Sequence, residues 1–181
     1  ENARKALVWL DEEVKAAGYK GVHLQMIKWG GSVLNVTGVD NTANFIPIDL
    51  ILKELPLDSL THYQFVHFSD MDRDYSVIGK EALQEWERAA NMGKRYFPHV
   101  SIGWDNNPRY IAYRGPVVKN NQPEEFEKML IEAKKYVDEH CDTPLITINS
   151  WNEWTETSYL EPDNLYGYGY LEAIKRVFGG R

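Results

Sequence analysis

The chain has 181 residues, of which 43% are hydrophobic and 26% are charged, so it carries enough apolar side chains for one buried core. Its 27 acidic residues outnumber its 20 basic residues and give a formal net charge of −7, which argues against nucleic acid or an anionic membrane surface as the main partner. No apolar run approaches the ~20 residues that a membrane-spanning helix needs, and the single cysteine, Cys141, cannot form an internal disulfide. We expect one domain, residues 1–181, that binds a neutral ligand.

The first half of the chain alternates between helical and strand patterns. An apolar stripe predicts a helix over residues 3–17, and Gly18 is a natural stop. A strand is predicted at 21–27, followed by a Gly/Asn-rich connection, 30–44, whose length is typical of functional loops. The pattern then predicts a helix at 48–55, a strand at 62–68 and a helix at 80–92.

The second half continues the alternation. A strand is predicted at 97–104, ahead of a polar loop. Pro123, in the favoured first-turn position, opens a helix that runs to 140. A strand at 145–148 follows, and a helix at 165–178 closes the chain, with Asp163 as its expected N-cap.

This order of elements predicts an α/β fold with parallel strands. A helix is followed by four strand–helix units, with long loops after the strands and short turns before them, which is typical of a (β/α)₈ TIM barrel. Because four units cannot close such a barrel, we interpret the chain as its C-terminal half, with the opening helix belonging to the preceding unit. The alternative is a small complete doubly wound domain, although no Gly-rich phosphate fingerprint follows any predicted strand.

Two carboxylates and two indoles come directly after the last predicted strand, in the segment 149–156. Parallel α/β folds keep their chemistry at this end of the sheet. If the segment turns tightly, Glu153 and Glu156 lie on one face with Cβ atoms roughly 5–6 Å apart, and paired carboxylates suggest sugar chemistry. A solvated helix face is the ordinary alternative for such a pair.

Other polar and aromatic side chains follow the strands. Indoles offer apolar faces to sugar C–H groups and N–H donors to hydroxyls, and Arg109 is a natural clamp for an acidic group. An Asx-turn in the loop before Pro108 explains Asp105 and Asn106 equally well, and a satisfied buried histidine explains His67. The substrate-binding candidates are Trp104, Asp105, Asn106, Arg109, Trp151, Asn152, Trp154, Tyr159, Glu161, His67 and Asp70.

Weaker expectations concern the first strand and metals. Gln25, Lys28 and Trp29 end the first strand, and their position alone suggests that they line the cleft. The five histidines lack familiar ligand spacing, so we expect no metal and no cofactor.

Three separated motifs carry a resemblance. They are Asn-Ser-Trp-Asn-Glu-Trp-x-Glu at 149–156 with Tyr-Leu-Glu-Pro-Asp at 159–163, the Gly-x-Gly-Tyr-Leu-Glu-Ala stretch at 167–173, and Gly-Trp-Asp-Asn-x-Pro-Arg at 103–109. In this the chain resembles the WbsX-like polysaccharide-biosynthesis proteins, which are related to glycoside hydrolase family 99. The resemblance implies a (β/α)₈ barrel that handles glycans and, for family 99, retaining endo-acting cleavage of α-mannosides, so the expected partner is an oligo- or polysaccharide substrate. It also implies that Glu153 is the base on the sugar 2-hydroxyl, giving a 1,2-anhydro sugar, and that Glu156 is the general acid and then base.

Three functions stay open at this point: a glycoside hydrolase that uses Glu153 and Glu156, a glycosyltransferase of lipopolysaccharide or another bacterial surface polysaccharide, and a glycan-binding protein without turnover. Four parallel strands alone would leave sheet edges open, so we expect the missing N-terminal half of the barrel, or a partner chain, to cover them. A cytoplasmic and a periplasmic location both fit the sequence, since any targeting signal would lie upstream.

Overall fold

The computed structural model describes residues 1–29, 32–36 and 43–180. The helices are α1 (Asn2–Ala16), α2 (Ile48–Glu54), α3 (Tyr75–Ala90), α4 (Pro123–His140) and α5 (Gly169–Phe178). The strands are β1 (Gln25–Lys28), β2 (Ser32–Val36), β3 (Ala43–Pro47), β4 (Ser59–His62), β5 (Arg95–Tyr96), β6 (His99–Ser101), β7 (Thr147–Asn149), β8 (Asn152–Glu153) and β9 (Ser158–Tyr159).

The predicted parallel arrangement is confirmed. β1 pairs with β4, β4 with β5, and β6 with β7, all in parallel. β5 and β6 belong to one pass of the chain, because the Phe97 N–H donates to the Leu60 carbonyl on one side and the Thr147 N–H donates to the Pro98 carbonyl on the other. The strands therefore lie side by side in the order in which they occur along the chain, as a (β/α)₈ barrel requires. In a doubly wound sheet, this order reverses at a switch point. Closure of eight strands stays a prediction.

The two faces of this sheet differ in chemistry. On one face Leu60 and Val100 are fully buried in the apolar core, together with residues of α3, α4 and α5. Side chains on the other face alternate with them along each strand and, apart from Ile27 of β1, the ones described below are polar. There Thr61 Oγ1 lies 2.8 Å from Thr147 Oγ1, and His99 Nδ1 lies 2.9 Å from the same hydroxyl. Burial lowers the pKa of His99 to about 3, so a neutral imidazole ties β6 to β7.

Two open, partly apolar clefts adjoin the sheet. One, of about 500 Å³, lies before β1, between α1, residues 20–24 and the residues that precede β4, and α1 itself buries none of its side chains. Beside β7, a cleft of about 460 Å³ is lined by apolar side chains of α4, α5 and the segment entering β7. Within the described residues, nothing pairs with the outer edge of β1 or of β7.

Several predicted boundaries are wrong, and each has a local cause. The strand predicted at 62–68 is β4, which ends at His62, because residues 65–67 form a 3₁₀ helix that the Gln64 side chain caps by accepting the Phe65 N–H. The strand predicted at 97–104 is the split pair β5 and β6. α3 begins five residues early, at Tyr75, because Asp74 caps it by accepting the Ser76 N–H at 2.9 Å.

Further differences concern strand starts and loops. β1 begins at Gln25 rather than at residue 21, and β7 begins at Thr147 rather than at residue 145. The connection predicted at 30–44 contains an antiparallel hairpin of β2 and β3, and the rest of it, residues 30–31 and 37–42, lies outside the described residues. Asp163 does not cap α5, which begins at Gly169 with Tyr168 as N-cap residue. Its carboxylate instead accepts the Leu165 and Tyr166 N–H groups.

Candidate active site

The segment after β7 folds back as a small hairpin. β8 and β9 pair in antiparallel fashion, and residues Trp154–Glu156 form a 3₁₀ turn between them. Thr157 closes the turn with a φ of +51°, a left-handed conformation that costs a β-branched residue roughly 1–2 kcal/mol. Its hydroxyl donates to the Asp105 carbonyl at 3.2 Å, which fastens the turn to the loop after β6. Strained backbone of this kind is found at functional sites.

Buried side chains anchor the hairpin to the ends of the strands. Gln64 is fully buried, and its Nε2 lies 3.2 Å from the Gly103 carbonyl, 3.1 Å from Asn149 Oδ1 and 3.4 Å from Ser158 Oγ. Ser150 Oγ donates to the Ser158 carbonyl at 2.7 Å and accepts the Glu153 N–H at 3.1 Å. The side-chain amide of Gln64 thus links the segment after β4 to the ends of β6 and β7.

Replacing Gln64 by Leu is expected to lower the free energy of unfolding by about 2–4 kcal/mol. The Gly103 carbonyl and the Asn149 amide would lose a buried partner, and each such group costs about 1–3 kcal/mol. Urea unfolding of the complete protein measures this. Gln122→Leu is the matched control, because Gln122 is exposed and its side chain makes no capping hydrogen bond, so a change within about 0.5 kcal/mol is expected. Equal effects of the two variants would contradict the anchoring role.

Arg109 joins the two carboxylates. Its Nη1 lies 2.9 Å from Glu156 Oε1, and its Nη2 lies 3.3 Å from Glu153 Oε1. The third donor, Nε, reaches Thr155 Oγ1 at 2.8 Å, and that hydroxyl donates to Glu153 Oε1 at 2.5 Å. The predicted Glu153–Glu156 pair is therefore held in one charge-assisted network by a residue from the loop after β6.

The two carboxyl groups have opposite electrostatic surroundings. The Glu156 side chain is 11% exposed, and its burial raises the pKa, with the Glu153 charge acting in the same direction and Arg109 opposing it. The Glu153 side chain is 37% exposed, and its pKa is lowered chiefly by the Thr155 hydroxyl and further by Arg109. Glu156 Oε2 is buried and has no hydrogen-bond partner among the described residues. The pair is thus biased towards one protonated and one ionised carboxyl group.

Aromatic side chains stand beside the pair. The Trp154 and Tyr159 rings stack with centroids 3.7 Å apart. The Trp154 indole N–H donates to Glu161 Oε2 at 2.6 Å, and the Tyr159 hydroxyl donates to Asp163 Oδ2 at 3.0 Å. Tyr159 and Glu161 therefore orient Trp154, and about half of the Trp151 side chain remains exposed. Asn152, also exposed, pairs with Tyr159 in the hairpin.

The loop after β6 contributes one side chain to the carboxylates, Arg109. Asp105 Oδ1 accepts the Asn107 N–H at 2.9 Å, so the Asx-turn alternative describes Asp105. Trp104 packs against the apolar core. Asn106 Oδ1 is buried without a partner among the described residues. A direct role in ligand binding for Trp104, Asp105 and Asn106 stays a prediction.

His67 and Asp70 contact residues other than the two glutamates, and their role in ligand binding stays a prediction. Asp70 accepts the Asp72 N–H at 3.1 Å and pairs with Arg73, as an ordinary turn residue. The His67 ring packs on Trp29 with centroids 4.2 Å apart. Lys28, expected near the cleft, instead pairs with Glu85 of α3 at 2.6 Å.

Sequence reasoning missed Gln64, Ser150, Thr155 and Ser158. A signal was present for Thr155, since it lies between the two glutamates. The contacts of Ser150 and Ser158 depend on how the segment folds back on itself, and those of Gln64 come from distant segments. In the described part of the chain, no group of three or more His, Cys, Asp or Glu side chains could hold a metal ion. No described helix is both long and apolar enough to cross a membrane.

Comparison with known proteins gives a family and two relatives. The model of the family described as "Glycosyltransferase WbsX" matches residues 1–174. The uncharacterized protein WxcX of Xanthomonas campestris pv. campestris, in strains B100 and ATCC 33913, is 28% identical over 100 residues. That match covers 54% of this chain and 14% of WxcX, so the chain spans a small part of the relatives' length. No solved structure matches significantly. With almost its whole length matched, this chain belongs to the WbsX glycosyltransferase family.

Proposed function

We propose that the chain carries the catalytic carboxylates of a carbohydrate-active enzyme, a retaining glycoside hydrolase that acts on α-linked, mannoside-like glycans. The single observation that carries the proposal is the Glu153–Arg109–Glu156 network, in which one pKa is raised and the other lowered. A protonated and an ionised carboxyl group at one site are what acid–base cleavage of a glycosidic bond needs. Family membership supports chemistry on sugars.

In the first step, ionised Glu153 takes the proton of the sugar 2-hydroxyl. The 2-oxygen attacks C1 and closes a 1,2-anhydro sugar, while the bond from C1 to the glycosidic oxygen breaks. Protonated Glu156 gives its proton to that departing oxygen. Arg109 keeps both carboxylates in place, and Trp154 offers an apolar surface to the sugar.

In the second step, Glu156, now ionised, takes a proton from water, and the water oxygen attacks C1. The C1–O2 bond of the anhydro ring breaks, and Glu153 returns its proton to the 2-oxygen. Two inversions at C1 give net retention, and both glutamates end in their starting states. Because the base acts on the 2-hydroxyl rather than on C1, the usual ~5–5.5 Å carboxyl spacing of retaining enzymes need not hold.

We further propose that the described strands are the C-terminal half of a (β/α)₈ barrel. The strand order supports this, and so do the outer edges of β1 and β7, unpaired among the described residues, and the cleft beside β7, which the N-terminal half of the barrel or a partner chain would cover. Substrate contacts from that other half belong to the complete site.

A glycosyltransferase of surface-polysaccharide assembly is the second candidate, favoured by the family description. Such an enzyme needs cationic groups for the phosphates of an activated donor. Arg109, the cation at this site, already pairs with two carboxylates, which favours hydrolysis. A glycan-binding protein without turnover is the third candidate.

The test uses the complete protein with α-linked manno-oligosaccharides and, separately, with a nucleotide-activated mannose donor. Proton NMR of the first product formed is expected to give the α-anomer of the released sugar. Transfer from the activated donor without cleavage would overturn the hydrolase in favour of the transferase. Binding without turnover of either compound would overturn both enzymes in favour of the binding protein.

A further inference from the structure

A second aromatic surface lies at the ends of β1 and β4, apart from the carboxylates. Trp29 follows β1 directly, and Tyr63 follows β4 directly. Their rings are stacked, with centroids 5.1 Å apart and an interplanar angle of 9°. His67 packs against Trp29 at 4.2 Å. We call these three rings the Trp29 platform.

The platform is open on one side. Trp29 is 60% exposed and Tyr63 is 37% exposed. His67 supports the stack from a half-buried position, and burial lowers its pKa, so the imidazole is neutral near pH 7. Its Nε2 is buried and has no partner among the described residues. An exposed flat indole suits a sugar ring that presents C–H groups on its face.

The position of the platform relates it to the carboxylates. Carboxyl ends of parallel strands meet at one edge of the sheet, and Trp29 follows β1 just as the 149–156 segment follows β7. Three strand spacings of about 4.8 Å separate β1 from β7, so the end of β1, which Trp29 follows, lies roughly 14 Å along the edge from the end of β7. One sugar ring cannot touch both places.

We propose that the Trp29 platform is a sugar-binding subsite remote from the reacting bond, which holds a further sugar residue of the oligo- or polysaccharide substrate. The inference rests on the proposed function for the identity of the ligand as a glycan. It adds a subsite and a minimum ligand size that the Glu153–Glu156 pair does not define.

The experiment measures affinity against ligand length. Mannose and α-linked manno-oligosaccharides of increasing length are titrated into the complete protein by calorimetry, with Glu156→Gln in the background to prevent turnover. In Trp29→Ala, binding of the longer members is expected to weaken by about tenfold, the upper range for one aromatic contact, while the shortest ligands that bind are unaffected. Trp29→Phe should retain most of the affinity.

Trp9→Ala is the matched control, because Trp9 is also 60% exposed but lies on α1. Its affinities should equal those of the parent protein. Affinity that does not rise with length, or an equal loss for all lengths in Trp29→Ala, would overturn the subsite while leaving the hydrolase intact. Length-dependent affinity that needs Trp29, found in wild-type protein without turnover, would support the subsite and contradict the hydrolase. A parent protein that binds no member of the series overturns both.

Discussion

Replacing Glu156 by Gln is expected to lower kcat on α-linked manno-oligosaccharides by about 10²–10⁴-fold, the usual contribution of a general acid–base group. Glutamine keeps the shape of the side chain but cannot donate a proton to the departing oxygen. Substrate affinity should be largely retained, because the Arg109 guanidinium can still donate to the amide oxygen in place of Glu156 Oε1. Steady-state kinetics and direct binding measurements on the complete protein separate the two effects.

The leaving group distinguishes the two glutamates. With an aryl glycoside whose phenol leaves without protonation, the first step no longer needs an acid, so Glu156→Gln should recover much of the rate of that step. Glu153→Gln should not recover, because the 2-hydroxyl still needs its base. Glu124→Gln, at an exposed position on α4, is the control and should behave as wild type. Recovery in Glu153→Gln but not in Glu156→Gln would contradict the assigned roles.

Among the helices, α4 was predictable because local signals define both of its ends. α4 has the predicted bounds, since Pro123 stands in its first turn and its apolar stripe is continuous. The end of β4 was not predictable, because Phe65 and Val66 look like the continuation of a strand. The 3₁₀ helix there depends on Gln64, whose side chain is held by atoms 39 to 94 residues away. A sequence pattern contains no information on such partners.

Residues of the candidate site were predictable where their position after a strand decides where they lie. They were not predictable where contacts with other residues decide it. Glu153, Glu156 and Arg109 follow strands whose carboxyl ends converge, so their meeting follows from the fold class. Whether Asp105 faces a ligand or its own loop depends on a single rotamer, and the structure gives the Asn107 N–H as its partner. The lowered pKa of Glu153 was not predictable, because its largest cause, the hydrogen bond from the Thr155 hydroxyl, requires coordinates.

Arg109→Met is expected to move both limbs of the bell-shaped pH dependence of kcat/KM to higher pH. The acid limb reports the base, Glu153, which must be ionised, and the alkaline limb reports the acid, Glu156, which must be protonated. Arg109 lowers the pKa of both groups, so its removal raises both. Loss of the clamp should also misplace the carboxylates and lower the maximum of kcat/KM by on the order of 10²-fold. Because the two carboxyl groups interact, the two pKa values obtained from the pH profile belong to the pair and not to either glutamate alone.

Thr155→Val separates the two limbs. The Thr155 hydroxyl is the largest cause of the lowered pKa of Glu153, and it has no part in the shift of Glu156. This variant should therefore move the acid limb to higher pH and leave the alkaline limb in place. Arg73→Met controls for the loss of a positive charge, since Arg73 is exposed to the same degree as Arg109 but pairs with Asp70 and Glu81. If Thr155→Val moved the alkaline limb instead, Glu153 would be the acid of the pair, and the direction of proton transfer proposed for the two glutamates would have to be reversed.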